Sequence, residues 1–484
     1  MSLEGFDVAR LKGARVLCIG DAVIDRFVYG AAERISPEAP VPVLRVERVS
    51  SMPGGVGNVA RNLSAIGAQG TLVAVTGPDR EGDELAAMLG ALPGLSAHLF
   101  RAGDRPTIVK SRYIASGQQL LRVDEETTSP IPDELGQDIV RDVLERLNAA
   151  DAVIVSDYGK GLMRPDILEQ VTQAADRAGV PVIVDPKGRD YRKYAGASIV
   201  TPNIAEIYEA TGIHVRDDAS AVLAARELMA QVDIACVLLT RSAQGMSVVP
   251  RDGEAVHLPA MVREVFDVSG AGDTVVALLA AGIGAGLAVA DAAMLANYAA
   301  GIVVGKVGTA VVEPDELEAA LRQTQLEQVA AKIVPDDEIA AYVARWRGQG
   351  LSIGFTNGCF DLLHPGHISL LRQAAAACDR LVVGLNSDDS VKRLKGPQRP
   401  IQDELSRALV LSALRDVDAV VIFGEDTPID LIQAVRPDVL VKGADYKINE
   451  VVGGDFVQSY GGHVVLAELT PNQSTTSVVG RIRG

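Results

Sequence analysis

Asp267-Val268-Ser269-Gly270-Ala271-Gly272-Asp273-Thr274 joins a strand-like segment to a helix of small residues. Gly270, Ala271 and Gly272 carry almost no side chain to obstruct an anion, and their N–H groups open the helix that runs on from Asp273. The helix dipole adds roughly half a positive charge at that point, so the turn is a candidate anion hole. Asp273 stands where it can take a proton from a hydroxyl attacking a phosphoryl group held by those amides, so cradle and base come from one turn. A glycine-rich cap with an acidic first turn would look the same, and the rest of the chain has to separate the two readings.

Two further motifs do so. Gly54-Gly55-Val56-Gly57-Asn58 precedes a helical Val59-Ala60-Arg61-Asn62-Leu63, and Asn203-Ile204-Ala205-Glu206 follows in mid-chain. The Gly55-x-Gly57 pair lacks the third glycine of a dinucleotide fingerprint. In this order the three motifs resemble those of the ribokinase-like carbohydrate kinases. The resemblance implies that Gly270, Ala271 and Gly272 bind phosphate, that Asp273 is the base, and that Gly54, Gly55 and Asn58 close on the sugar. It implies that Asn203 and Glu206 organise Mg²⁺, Glu206 through water, and that ATP is the donor, with a monovalent cation as an optional addition.

Other positions are read around that frame. Ala14 to Ile19 is a buried-strand pattern ended by Gly20-Asp21, and ligands of open α/β sheets gather at such ends. The resemblance gives Asp21 to sugar hydroxyls, while an Asx turn is the simpler alternative. Lys110, Arg112, Lys187 and Arg189 lie on segments that could reach a substrate phosphate, though surface cations are common. Thr240 ends a strand on the nucleotide side and Gly245 follows in a turn, with Ser242 where the family often has glycine. Asn297 to Gly308 resembles the adenine-side helix, with core packing as the alternative. The expected fold is a central, mostly parallel sheet with helices on both faces, and Thr107 to Arg122 alternates as part of a small β lid.

Composition bounds these readings. With 484 residues and 48% apolar content the chain suits two or three globular domains. A net charge of −17, concentrated in the first two-thirds, argues against nucleic acid as a partner. Cys18, Cys236, Cys359 and Cys378 lack C-x-x-C spacing and suit a reducing compartment. The N-terminus has neither a basic head nor an apolar core, so the cytoplasm is expected, and polar residues in the Ala-rich stretch Val275 to Gly305 favour a buried helix pair over a membrane span.

The motif-poor segment from Leu317 to Lys332 and Pro335-Asp336-Asp337 marks a boundary: a kinase over 1–330, a linker and helix over 331–349, and a second domain over 350–484. That domain opens with Gly358-Cys359-Phe360-Asp361-Leu362-Leu363-His364-Pro365-Gly366-His367, a strand end, a turn and a helix start. Two histidines three apart could bind a metal, but no third ligand has suitable spacing. A phosphate at the helix N-terminus fits better. A thiol nucleophile at Cys359 has no assured basic partner, and packing behind the loop is its plainer role.

The run resembles the H-x-G-H nucleotidyltransferases, of Rossmann-like α/β fold, which implies that His364 and His367 donate to nucleotide phosphates beside Gly358, Cys359 and Phe360. Lys395 lies in a basic Gly/Pro-containing loop with Lys392, Arg393 and Arg399. Lys442 follows a buried strand, and Ser474, Thr475 and Thr476 open the last helix, where hydroxyls and amides would hold the remaining phosphates. Kinase first and transferase second resembles the bifunctional heptose 7-phosphate kinase and heptose 1-phosphate adenylyltransferases. That family implies ATP for both steps, ADP-heptose as the product and a homodimer. A fused kinase and cytidylyltransferase for another sugar or polyol phosphate, or a non-catalytic sugar-nucleotide sensor, are the alternatives.

Overall fold

The computed structural model describes residues 3, 5–103, 105–261, 265–306, 308–444, 447 and 450–468. Contacts divide the chain into two compact units, Met1–Leu321 and Arg322–Gly484. Strands of the first are β1 (Arg15–Gly20), β2 (Ala22–Ile35), β3 (Pro42–Gly55), β4 (Gln69–Thr76), β5 (Leu95–Arg101), β6 (Ile108–Ala115) and β7 (Gln118–Glu125), then β8 (Ala152–Ser156), β9 (Val182–Asp185), β10 (Ala197–Val200), β11 (Ile234–Thr240), β12 (Met246–Pro250) and β13 (Val256–Leu258). The main sheet runs β13-β12-β11-β10-β9-β8-β1-β4-β5, parallel except where β12 pairs antiparallel with β11 and β13. Runs such as Val16-Leu17-Cys18-Ile19 and Val153-Ile154-Val155 are apolar on both faces because helices cover both. The helices Ala271–Gly284 and Val289–Val304 form the expected buried pair, and among the described residues no helix is long and apolar enough to cross a membrane.

The lid is a second sheet, β3-β2-β6-β7, of which Thr107 to Arg122 covers only half. β2 and β3 pair antiparallel along nearly their whole lengths, from Ala22 opposite Gly55 to Ile35 opposite Pro42. Their outer halves expose apolar side chains, Ile35, Val46 and Val49, as does β7 with Leu120, Leu121 and Val123.

In the second unit, β14 (Ile353–Gly358), β15 (Arg380–Asn386), β16 (Ala419–Phe423), β17 (Val439–Gly443) and β18 (His463–Ala467) form a parallel sheet in the order β16-β15-β14-β17-β18. The division between units falls inside one helix, Pro314–Ala331, whose Leu317 and Leu321 are buried in the first core. The stretch expected to link the domains packs with the second unit: Val334 N–H donates to the Val420 carbonyl at 2.9 Å, and Ile339 and Val343 enter its core.

Candidate active sites

In the first unit the loop before the helix Ala271–Gly284 turns at Gly270 (φ 80°), where a Cβ would stand 2.7 Å from Asn58 Nδ2. Only glycine suits that position. At Gly272 a Cβ would meet no heavy atom within 4 Å, so that residue faces open space. The first intrahelical bond, Thr274 N–H to the Gly270 carbonyl at 3.0 Å, leaves the amides ahead of it at the unsatisfied end of the helix. Ala271 N–H leans back to the Val268 carbonyl at 3.3 Å.

Asp273 is 5% exposed; Oδ2 accepts from Asn58 Nδ2 at 2.8 Å and Oδ1 from the Tyr158 hydroxyl at 2.9 Å. Burial pushes its carboxyl up to about 6, against the lowering effect of those two donors. Such a group is ionised at neutral pH yet close enough to it to accept a proton. Arg61 donates to Asn58 Oδ1 at 3.0 Å, which turns the Asn58 amide toward Asp273. Thr274 Oγ1 donates to Asn62 Oδ1 at 3.0 Å and joins the same two helices.

Two cavities meet at Thr240, Gly272 and Val275. One, of about 580 Å³, is lined by apolar residues including Met246, Met261, Val268 and Val304, together with Gly245 and Asn297, and has the character of a base pocket. Gly245 (φ 81°) is needed there, because a Cβ would overlap the Leu258 carbonyl. The other, of about 170 Å³, holds Asp157, Tyr158, Asp185, Lys187, Asn203 and Glu206. Asn203 and Glu206 form a reciprocal capping box, with bonds of 2.9 and 3.0 Å, and the second Glu206 oxygen faces Lys187 Nζ at 3.2 Å. Asp185, which the sequence reading passed over, is pushed well above the carboxylate range by burial and by Asp273 and Glu206. Its signal was an acid ending an apolar strand, Val182-Ile183-Val184-Asp185.

Among the described residues no cluster of three ligands could hold a metal by itself. Crowded carboxylates beside an anion hole nonetheless fit Mg²⁺, which keeps most of its waters and takes phosphate oxygens.

The residues expected on the sugar side are also tied within the chain. Asp21 Oδ2 accepts the amides of Tyr158 and Lys160, both at 3.0 Å, so this carboxylate clasps a loop. Gly54 and Gly55 are required by close neighbours within the chain: Cβ atoms there would collide with the Asp25 carboxylate and the Asp21 carbonyl. Arg112 is paired with Asp25 at 2.5 Å and covers Phe27. Lys187 lines the smaller cavity with Glu206, and Arg189 is exposed near Glu209. Lys110 Nζ stands 5.3 Å from the centroid of the Tyr158 ring, whose hydroxyl donates to Asp273.

In the second unit, β14 delivers its end to the loop at residues 358–364, and His364 is the N-cap of the helix Pro365–Ala376. The two imidazoles stack with centroids 3.7 Å apart, and Phe360 (φ 41°) lies 5.1 Å from His367. Gly358 makes room for that ring, since a Cβ would approach it to 3.1 Å. Nδ1 of each histidine is buried without a hydrogen-bond partner among the described residues. Burial, with His364 and Lys395 adding, pushes His367 down to about 4, so it is neutral at physiological pH. Burial also lowers His364.

The loop is held from behind by the buried Arg407, which donates to the carbonyls of Cys359 at 2.6 Å and Asn386 at 2.8 Å and pairs with Asp388 at 2.6 Å. Asp361 accepts from Arg399 and from Ile401 N–H at 2.6 Å. The Cys359 thiol sits 3.8 Å from Asn386 Oδ1.

The basic loop expected around Lys395 is the last turn of a helix, Asp388–Lys395. Lys392 and Arg393 pair there with Asp389 and Asp426, and Arg399 is taken by Asp361. Lys395 has no such ion pair among the described residues and stands near His367. Lys442 bonds to Asn357 Oδ1 at 2.5 Å and steadies the end of β14. Ser474, Thr475 and Thr476 lie outside the described residues.

Residues 14–316 match the pfkB family carbohydrate kinase model, and residues 355–479 match the cytidylyltransferase-like model. The chain is 55% identical to the bifunctional protein HldE of Paramagnetospirillum magneticum, covering 99% of this chain and 98% of that one. It is 51% identical to the protein of the same name from Rhodospirillum rubrum, over 99% and 96% of the two chains. Among solved structures, Escherichia coli phosphofructokinase-2 in complex with potassium overlays with TM-score 0.55 at 19% identity, covering 64% of this chain and 99% of that one. Arabidopsis thaliana ribokinase complexed with ribose and ATP overlays with TM-score 0.51 at 20% identity, over 64% and 99%. These two show the fold of the first unit. The chain belongs to the bifunctional HldE family, in which a pfkB-type carbohydrate kinase precedes a cytidylyltransferase-like nucleotidyltransferase.

Proposed function

We propose that ATP phosphorylates C1 of D-glycero-β-D-manno-heptose 7-phosphate at the Asp273 site. After a separate phosphatase removes the 7-phosphate, the His364/His367 site transfers AMP from ATP to heptose 1-phosphate, giving ADP-heptose for the lipopolysaccharide core. The observation that carries the kinase step is the buried, raised carboxylate of Asp273 directly after Gly272, the open residue that borders both the apolar and the acidic cavity. The C1 oxygen attacks the γ-phosphorus, its proton passes to Asp273, and ADP leaves. Glu206 through water, with Asp185 beside it, would hold Mg²⁺, whose charge neutralises phosphate oxygens when bound. Lys110 on the lid and Lys187 on the phosphate side supply the nearby cations.

In the second step a phosphate oxygen of the sugar attacks the α-phosphorus of ATP and pyrophosphate leaves. Neutral, stacked imidazoles at a helix start, with Lys395 beside them, are placed to donate to the charge that builds there. Residues 1–330 and 350–484 are taken as the two catalytic domains, working in the cytoplasm, and the exposed apolar face of the lid supports a homodimer. A monovalent cation near the kinase site belongs to the same reading.

Mass spectrometry of products from heptose 7-phosphate and ATP tests the assignment. The bisphosphate should form alone, and ADP-heptose only once phosphatase is added. Efficient replacement of ATP by CTP in pyrophosphate release would favour a cytidylyltransferase instead.

A further inference from the structure

Asp273 is held by two donors from different elements, and only Asn58 lies in a motif of the sequence reading. The other is Tyr158, on the short loop that follows β8. That loop is pinned to an unusual degree. Asp21 Oδ2 accepts the Tyr158 and Lys160 amides; Asp157 Oδ1 accepts Gly159 N–H at 2.7 Å; Asp157 Oδ2 accepts Lys193 and the Tyr194 hydroxyl, both at 2.6 Å. Lys160 Nζ is tied to Glu126 at 2.6 Å. Asp21 and Asp157 are both more than nine-tenths buried, and burying carboxylates is costly unless their bonds fix something. What this loop carries to the cavity beside Asp273 is the Tyr158 ring, covered on one side by Lys110, with its hydroxyl on Oδ1 of the base.

We propose that Tyr158 is a positioning residue of the kinase reaction: its hydroxyl holds Oδ1 of Asp273 so that the remaining lone pairs of the carboxylate face the attacking hydroxyl, and Asp21 acts on the base through the Tyr158 loop. This rests on Asp273 being the base. A phenol burdened by burial and by Asp273 stays protonated and can only donate to an ionised carboxylate. The bond therefore strengthens the ionised form, opposing the burial that raises Asp273. Other charges facing Asp273 are Asp25 on β2, Lys110 on β6, Arg61 on the helix Val56–Ala65 and Asp185 on β9. None of them is removed by a change at Tyr158.

Tyr158→Phe keeps the ring and deletes the donor. Kinase kcat is expected to fall at least ~10-fold with the ATP KM unchanged, and the acid limb of the kinase pH profile to move up by about one pH unit, the size of effect expected for losing a donor to a charged group. Asp21→Asn, which weakens the loop clasp, should move the limb in the same direction. In an Asp273→Asn background, Tyr158→Phe should cost nothing further, because two groups that act as a unit are not additive. An unmoved acid limb, whatever happens to kcat, would overturn the proposal, as would a full additional loss in the Asp273→Asn background. Either result would give Tyr158 a packing or substrate-contact role while leaving Asp273 as the base. If Asp273→Asn alone keeps its kinase activity, the base assignment is what fails.

Discussion

As the proposed base, Asp273 would have to be ionised, and its environment sets the pH at which that holds. Its carboxyl is raised to about 6 by burial, so the kinase rate should be level above that pH and fall about tenfold per unit below it. Asp273→Asn should lower the kinase rate by well over ~10-fold, or ~1.4 kcal/mol, while ATP still binds. A smaller fall, or a pH profile flat through 5, would remove Asp273 from the base role. The sequence made this residue legible because G-A-G-D is contiguous. It could not show Tyr158 or Arg61, whose relation to Asp273 exists only once the loop after β8 and the helix Val56–Ala65 are brought together in the fold. Asp21 shows the same limit: a strand-end acid reads as a ligand contact, and its amide partners, more than a hundred residues on, are seen only in the folded chain.

At the scale of elements, both proposed sites lie at a helix start that follows a loop, Ala271–Gly284 in one unit and Pro365–Ala376 in the other. At Gly272 a side chain has room in the folded protein, since a Cβ meets nothing. Gly272→Val should therefore fold normally and weaken nucleotide binding, because the new methyls occupy the space between the two cavities that Gly272 borders. Unchanged ATP affinity in that variant, measured by calorimetry, would rule out the helix start as the phosphate cradle. Elements with long apolar runs were legible almost to the residue: the strand expected over Ala14 to Ile19 is β1, Arg15–Gly20, and the helix pair expected within Val275 to Gly305 is Ala271–Gly284 and Val289–Val304. Half the lid was not. β2 begins as a buried strand and ends exposed, so its pattern changes along its length and neither simple period describes it. The basic residues around Lys395 read as a loop because Gly396 and Pro397 follow directly, yet Ser387 caps a helix that carries three of them.

For the whole molecule, the residues proposed for the two reactions fall in separate units, Asp273 with Asn58 and Tyr158 in one, His364 and His367 with Lys395 in the other. The division between the units lies inside the motif-poor stretch Leu317 to Lys332, within a continuous helix rather than at a break in the chain. Since a phosphatase must act between the two transfers, the intermediate has to leave the first site, and the units gain nothing from channelling. The most direct measurement combines two variants, each lacking one site: Asp273→Asn and His367→Ala, with ATP, heptose 7-phosphate and phosphatase, followed by ADP-heptose formation. Each variant alone should make none, and the mixture should form it at a rate near that of the intact protein. A mixture that stays silent although each variant keeps its other activity would contradict the assignment of two independent reactions to these two sites.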